Sequence, residues 1–286
     1  MSPGRFRHFA AVDWSGAVGE RHAGIAVALC AAGDAAPRLV RPGHRWSRPE
    51  VLAWLLGDLP GEPLPDDTLV GFDMGISLAF ADAGAFFPGW DESPADARGL
   101  WALVDRLSAV QPHLGAACFV DHAEVQRHFR RPGGREGECF GGGRGRLRVT
   151  EKAQELLGCR PCSNFNLVGA AQVGKASLAG MRLLHRLGGK LPIWPVDPLP
   201  PAGCAVVEIY TAIAAIAAGR APGRAKIRDF PALDDALAAL GSAPVGGSGP
   251  VSDHVSDALI TAAWLRRAAP VPALWQIGRA SCRERV

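Results

Sequence analysis

Two apolar runs in this chain each end on a carboxylate. Phe9 to Val12 run straight into Asp13, with Gly16 three residues on; in DDTLVGFDMGIS (66–77) the run ends at Asp73, with Gly75 behind it. A buried carboxylate is costly unless a partner or a metal compensates it. A third acid, Glu208, lies inside the apolar CAVVEIY (204–210). A fourth, Asp257, falls in the first turns of SDHVSDALITAAWLRRA (252–268), with His254 three residues and Asp253 four residues before it. That spacing puts all three on one helical face. Like charges drawn together are unfavourable unless a cation sits between them. Three or four carboxylates suit hard, oxygen-preferring Mg²⁺ or Mn²⁺, as one or two ions about 3.5–4 Å apart in phosphoryl chemistry. Asp13, Asp73, Glu208 and Asp257 are therefore candidate metal ligands. His254 is a candidate general base or ligand, or a residue favoured by packing alone. Plainer roles exist too: Asp13 before Ser and Gly suits a turn, Glu208 a sheet edge, Asp253 a helix cap.

The elements that must position these groups follow from periodicity. Strands are expected over 7–13, 22–30, 36–46 (weakened by Pro42) and 66–77. Between the third and fourth, RPEVLAWLLGDL (48–59) sets Val51, Leu52, Leu55, Leu56 and Leu59 on one helical face. Helices are expected around ARGLWALVDRLSAV, TEKAQELL and SLAGMRLLHRL, within a region ending in the Pro-rich LPIWPVDPLPPAG. A fifth strand covers 204–210, an alanine-rich helix and FPALDDALAAL follow, and Ser252 or Asp253 caps the last helix. Ligands in α/β sheets bind outside the carboxyl ends of the strands, so parallel first and fourth strands would bring Asp13 and Asp73 together. The expected class is α/β, with a mixed five-stranded sheet flanked by helices. One domain spans 1–276, with its core at 7–80 and 203–270 and a helical and loop insertion at 81–202.

Strand–strand–strand–helix–strand, with acids on the first and fourth strands and a late helix, resembles the ribonuclease H-like superfamily. DHVSDAL is similar to the H-x-x-D-A signature in the last helix of its Holliday-junction resolvase branch. The chain more closely resembles the bacterial family called domain of unknown function 429, through VDWSG, GFDMGIS, RVTEKAQ, NLVGAAQVGKASLAGM, VVEIYTA and HVSDALITAAW. The resemblance implies a ribonuclease H-like fold, predicted nuclease activity, and Asp13, Asp73 and Asp257 as metal-site acids. Glu208 lies in the family's E-x-Y motif, with Thr211 where Pro is expected. Glu151 lies in its T-E motif and would face the same cleft, and Arg148 begins that stretch.

Gly169 to Lys175 fits G-x-x-x-x-G-K, a phosphate cradle that needs Ser or Thr directly after the Lys. Ala176 stands there and Ser177 comes one residue late, about 100° around a helix. Lys175 and Ser177 instead suit a substrate-binding loop at a helix start. Arg130, Arg131, Arg135, Arg144, Arg146 and Arg148, with Arg127 upstream, are interleaved with glycine. They could track a DNA or RNA backbone as a mobile arm, or form a solvated loop.

With 48% hydrophobic and 21% charged residues the chain is of ordinary globular composition. Its longest apolar run, GCAVVEIYTAIAAIAAG, contains Glu208 and is too short to span a bilayer. No signal core opens the chain, so a cytoplasmic protein with reduced thiols is expected; Cys159 and Cys162 form a C-x-x-C with no second pair at zinc-finger spacing. The final IGRASCRERV (277–286) matches a translated sequencing adapter, and it holds three Arg and one Glu. Without it the formal charge falls from +3 to +1, and composition gives no argument for nucleic acid. The main functional expectation is a metal-dependent nuclease. The alternatives are a nucleotide-binding phosphotransferase or ATPase of the same superfold, which normally duplicates it, and a non-catalytic binding protein.

Overall fold

The computed structural model describes residues 4–169, 173–221 and 226–275. Residues 170–172 of the glycine–lysine stretch and the 277–286 tail lie outside them. In chain order the elements are β1 (His8–Asp13), β2 (Ala26–Ala31), β3 (Arg38–Leu39), α1 (Arg48–Leu56), β4 (Thr68–Phe72), α2 (Ala97–Leu107), α3 (Ala123–Gln126), β5 (Arg130–Arg131), β6 (Arg135–Glu136), α4 (Val149–Leu156), α5 (Val173–Arg186), β7 (Ile193–Trp194), β8 (Ala205–Glu208), α6 (Thr211–Ala217), α7 (Phe230–Ala239) and α8 (Asp253–Ala268). Among the described residues no helix is long and apolar enough to cross a membrane.

The chain divides into two compact units. The first holds the residues through Trp14, Arg21–Asp73 and those from Lys190 on; the second holds Ser15–Glu20 and Met74–Gly189. The first is an α/β unit around a six-stranded mixed sheet in the order β3-β2-β1-β4-β8-β7. β1, β2 and β3 pair antiparallel; β4 lies parallel to β1, β8 to β4, and β7 to β8. The five expected strands are all present. The sixth, β7, comes from the Pro-rich stretch, where two residues suffice for an edge strand and leave no alternating pattern to read. β3 is cut to two residues, well before Pro42.

Alternation along the strands decides which side chains face which helix. Phe9 and Ala11 of β1, Leu69 of β4, and Ala205 and Val207 of β8 share one apolar cluster with Leu259, Ala262 and Ala263 of α8 and Leu233 and Leu237 of α7. α8 packs on β1 and β2. Its N-cap is Ser252, whose Oγ accepts the Val255 N–H at 3.3 Å, so the expected cap forms. α1 begins with a capping box between Ser47 and Glu50 and buries Val51, Trp54 and Leu55.

The second unit pairs α2 with α5 over a core in which Phe87, Phe119, Phe129, Phe140 and Phe165 are fully buried. The Trp101 indole donates to the Ile76 carbonyl at 2.7 Å. The arginine–glycine stretch is built into this unit. Arg127 pairs with Glu124 and Glu138, Arg130 with Glu136, Arg144 with Glu155, and Arg146 with Asp82. Sequence order hides the acids that engage these arginines: Asp82 lies 64 residues from Arg146.

Candidate active site

The first unit assembles its acids at the carboxyl ends of its two central parallel strands. β1 and β4 run in register with Val12 beside Phe72, so Asp13 and Asp73 come level on neighbouring strands. The Asp73 N–H donates to the Val12 carbonyl at 3.0 Å and extends the ladder by one residue. Both belong to the parity of Phe9, Ala11 and Leu69, the face covered by α8. The N-terminal turns of α8 bring His254 and Asp257 to the same place. The His254 ring Nδ1 lies 2.7 Å from Asp13 Oδ2, linking residues 241 positions apart.

Each acid has its own partner. Asp13 is buried, with His254 on Oδ2. Asp73 accepts the Thr211 N–H at 3.4 Å on Oδ1 and the Thr211 hydroxyl at 3.1 Å on Oδ2. Asp257 accepts from the Lys226 ammonium on Oδ2. Thr211, which stands where the family resemblance leads one to expect Pro, supplies two donors to Asp73; a proline there would supply neither. Lys226 gave no signal in the sequence, since it lies in an irregular stretch 31 residues from Asp257.

Burial sets the electrostatics. It pushes the Asp73 carboxyl up to about 7; the nearby Asp13 and Asp257 charges add to the rise, and the Thr211 hydrogen bonds offset part of it. Burial also raises Asp13, against the lowering effect of its bond to His254. The Asp13 hydrogen bond raises His254 above an ordinary imidazole. Asp257 thus lies close enough to disfavour the charge of Asp13, and Asp13 and Asp257 that of Asp73, as carboxylates sharing one site do.

Among the described residues no group of three or more His, Cys, Asp or Glu side chains forms a ready metal cage. As placed, Asp13 is bonded to His254, Asp73 to Thr211 and Asp257 to Lys226. The donor chemistry nonetheless fits a hard divalent cation. These are oxygen ligands; Asp13, buried, and Asp73, half-buried, are both raised in pKa, and a cation would relieve both.

Glu208 does not join this group. It ends β8 beside Phe72, and strand alternation puts it on the Val12–Phe72 face, opposite Asp13 and Asp73. An acid within a strand reveals its face only once the register is known.

No family model, curated protein or solved structure matches this chain.

The other four sequence candidates lie in the second unit, where three of them knit it together. Glu151 is buried. It accepts the Arg148 N–H at 2.6 Å, capping α4, and the Arg148 Nε at 2.7 Å. Asn164 joins Glu151, at 3.5 Å, to the Ser77 carbonyl. The Ser177 hydroxyl is buried; it donates to Asn164 and accepts the Gly75 N–H at 3.0 Å. Lys175 stands in the first turn of α5 at intermediate exposure. A Cβ on Gly16 would sit 2.2 Å from the Lys175 carbonyl carbon, and one on Gly75 2.0 Å from Asn164 Nδ2. Gly16 of VDWSG and Gly75 of GFDMGIS are therefore explained by close packing within this unit.

Proposed function

We propose that this chain is a metal-dependent phosphodiesterase acting on nucleic acid, a nuclease of the ribonuclease H-like type. The observation that carries the reading is the meeting of Asp13 and Asp73, level on adjacent parallel strands, with His254 and Asp257 from the start of α8. Three antiparallel strands, a helix and a parallel fourth strand add support, being the order that the sequence resemblance implies. Asp13 and Asp73 would hold Mg²⁺ or Mn²⁺, with Asp257 completing the acid set. A bound ion supplies Lewis-acid polarisation of a phosphate oxygen and a water of lowered pKa.

The protein's own groups supply positioning and proton transfer. With Asp13 Oδ2 accepting a hydrogen bond from the His254 Nδ1–H, the ring tautomer leaves Nε2 to take a proton from water or return one to a leaving oxygen. His254 suits that work, because its side chain is 46% exposed while that of Asp13 is 10% exposed. Withdrawal of both carboxylates from bulk water, Asp13 fully and Asp73 in part, strengthens their field at the reacting atoms.

The test is a cleavage panel of single-stranded, double-stranded and branched DNA and RNA with Mg²⁺ or Mn²⁺. Cleavage by the wild type, lost in Asp13→Asn with the fold intact, is expected. Cleavage retained in Asp13→Asn rejects the assignment. ATP hydrolysis without cleavage moves the reading to the phosphotransferase branch.

A further inference from the structure

Lys226 bears on the number of cations in this site. Its ammonium bonds Asp257 Oδ2, and its side chain is half exposed. The carboxylates of Asp257, Asp13 and Asp253 all act on that ammonium. It also acts on Asp13, where its charge opposes the rise caused by burial.

Resting on the metal-site reading above, we propose that Lys226 is the second cation of this site: one divalent ion goes to Asp13 and Asp73, and the ammonium on Asp257 replaces another. Ionised Asp13, Asp73 and Asp257 carry three negative charges. One divalent ion and one ammonium neutralise them. A second divalent ion would have to displace Lys226 from Asp257 and would leave the site with excess positive charge. An ammonium also presents donors to a phosphate oxygen as a point charge. Lys226 therefore belongs to the substrate-facing charge of the site and is no mere surface ion pair, in contrast to Arg228–Asp253, at 3.7 Å with the arginine 74% exposed.

Calorimetric titration of the full chain with MnCl₂ counts ions without any substrate. It is run in mildly alkaline buffer, so that protons do not compete. The expected stoichiometry is one ion in the wild type, one in Lys226→Arg and two in Lys226→Met, which frees Asp257 without adding bulk. Two ions in the wild type overturn the proposal and leave the metal-site reading standing. One ion in a Lys226→Met protein with native circular dichroism also overturns it. No binding in the wild type, matching Asp13→Asn, rejects the metal-site reading and this proposal with it. If Lys226→Met does not fold, the wild-type count and Lys226→Arg decide: one ion in each supports the proposal, and two in either overturn it.

Discussion

Replacing Asp73 by Asn removes a carboxyl that the fold holds near a pKa of 7 against an ordinary 3.8. The side chain keeps its shape. The Asn oxygen still accepts the Thr211 N–H, and the amide donates to the Thr211 hydroxyl, which reverses its role. Because the folded pKa is raised, the native state holds the proton longer than the unfolded chain does. The Asp73 contribution is fully present below pH 3.8 and is lost as pH rises through about 7. Three pKa units at 1.36 kcal/mol each amount to about 4 kcal/mol of lost stability at the alkaline end. Urea unfolding of wild type and Asp73→Asn in metal-free buffer should give similar stabilities near pH 4. Above pH 7 the variant should be the more stable by up to about 4 kcal/mol, with unchanged m-values. A stability difference flat from pH 4 to pH 8 would refute the electrostatic account. Mg²⁺ at a hundredfold excess over Kd should then narrow that gap, stabilising the wild type by about 2.7 kcal/mol and leaving Asp73→Asn unmoved.

Arg146→Ala should destabilise the second unit by about 1–3 kcal/mol in urea melts, the cost of leaving hydrogen-bond acceptors without their donor. Arg146 bonds both oxygens of Asp82 and the carbonyls of Ala79, Ala85 and Phe86. His128 is fully buried between Phe87 and Phe165, and neither ring nitrogen has a hydrogen-bond partner among the described residues. Burial, aided by the charges of Arg146 and Arg127, holds its pKa down at about 4 against 6.5. Its stabilising contribution, about 3 kcal/mol, is present above pH 6.5 and lost as pH falls through 4, so His128→Phe should flatten that acid limb in pH-dependent unfolding. Gly16→Ala should lower stability by about 1–3 kcal/mol in thermal denaturation, because the Lys175 backbone must move. An unchanged melting temperature would show that the loop relaxes freely.

The strand ends that carry Asp13 and Asp73, the helix that carries His254 and Asp257, and the Ser252 cap were all readable from the chain. Each depends on a local pattern: an apolar run that stops at an acid, or a spacing of three or four residues. Tertiary structure alone decided what each acid meets. Thr211 reaches Asp73 across 138 positions, and Lys226 reaches Asp257 from an irregular stretch. Glu208 looked equivalent to the other acids until the register of β8 put it on the opposite face. Glu151, Ser177 and Arg148 looked available for substrate until Asn164 and Gly75 closed around them. Arg127, Arg144 and Arg146 read as part of a mobile basic arm or a solvated loop until acids met them, two from helices α3 and α4 and one at Asp82. Local propensity acts over a few residues and leaves its periodicity in the sequence. Charge pairing acts through space between segments that only the completed fold brings within a few ångströms, and so leaves no periodicity to read.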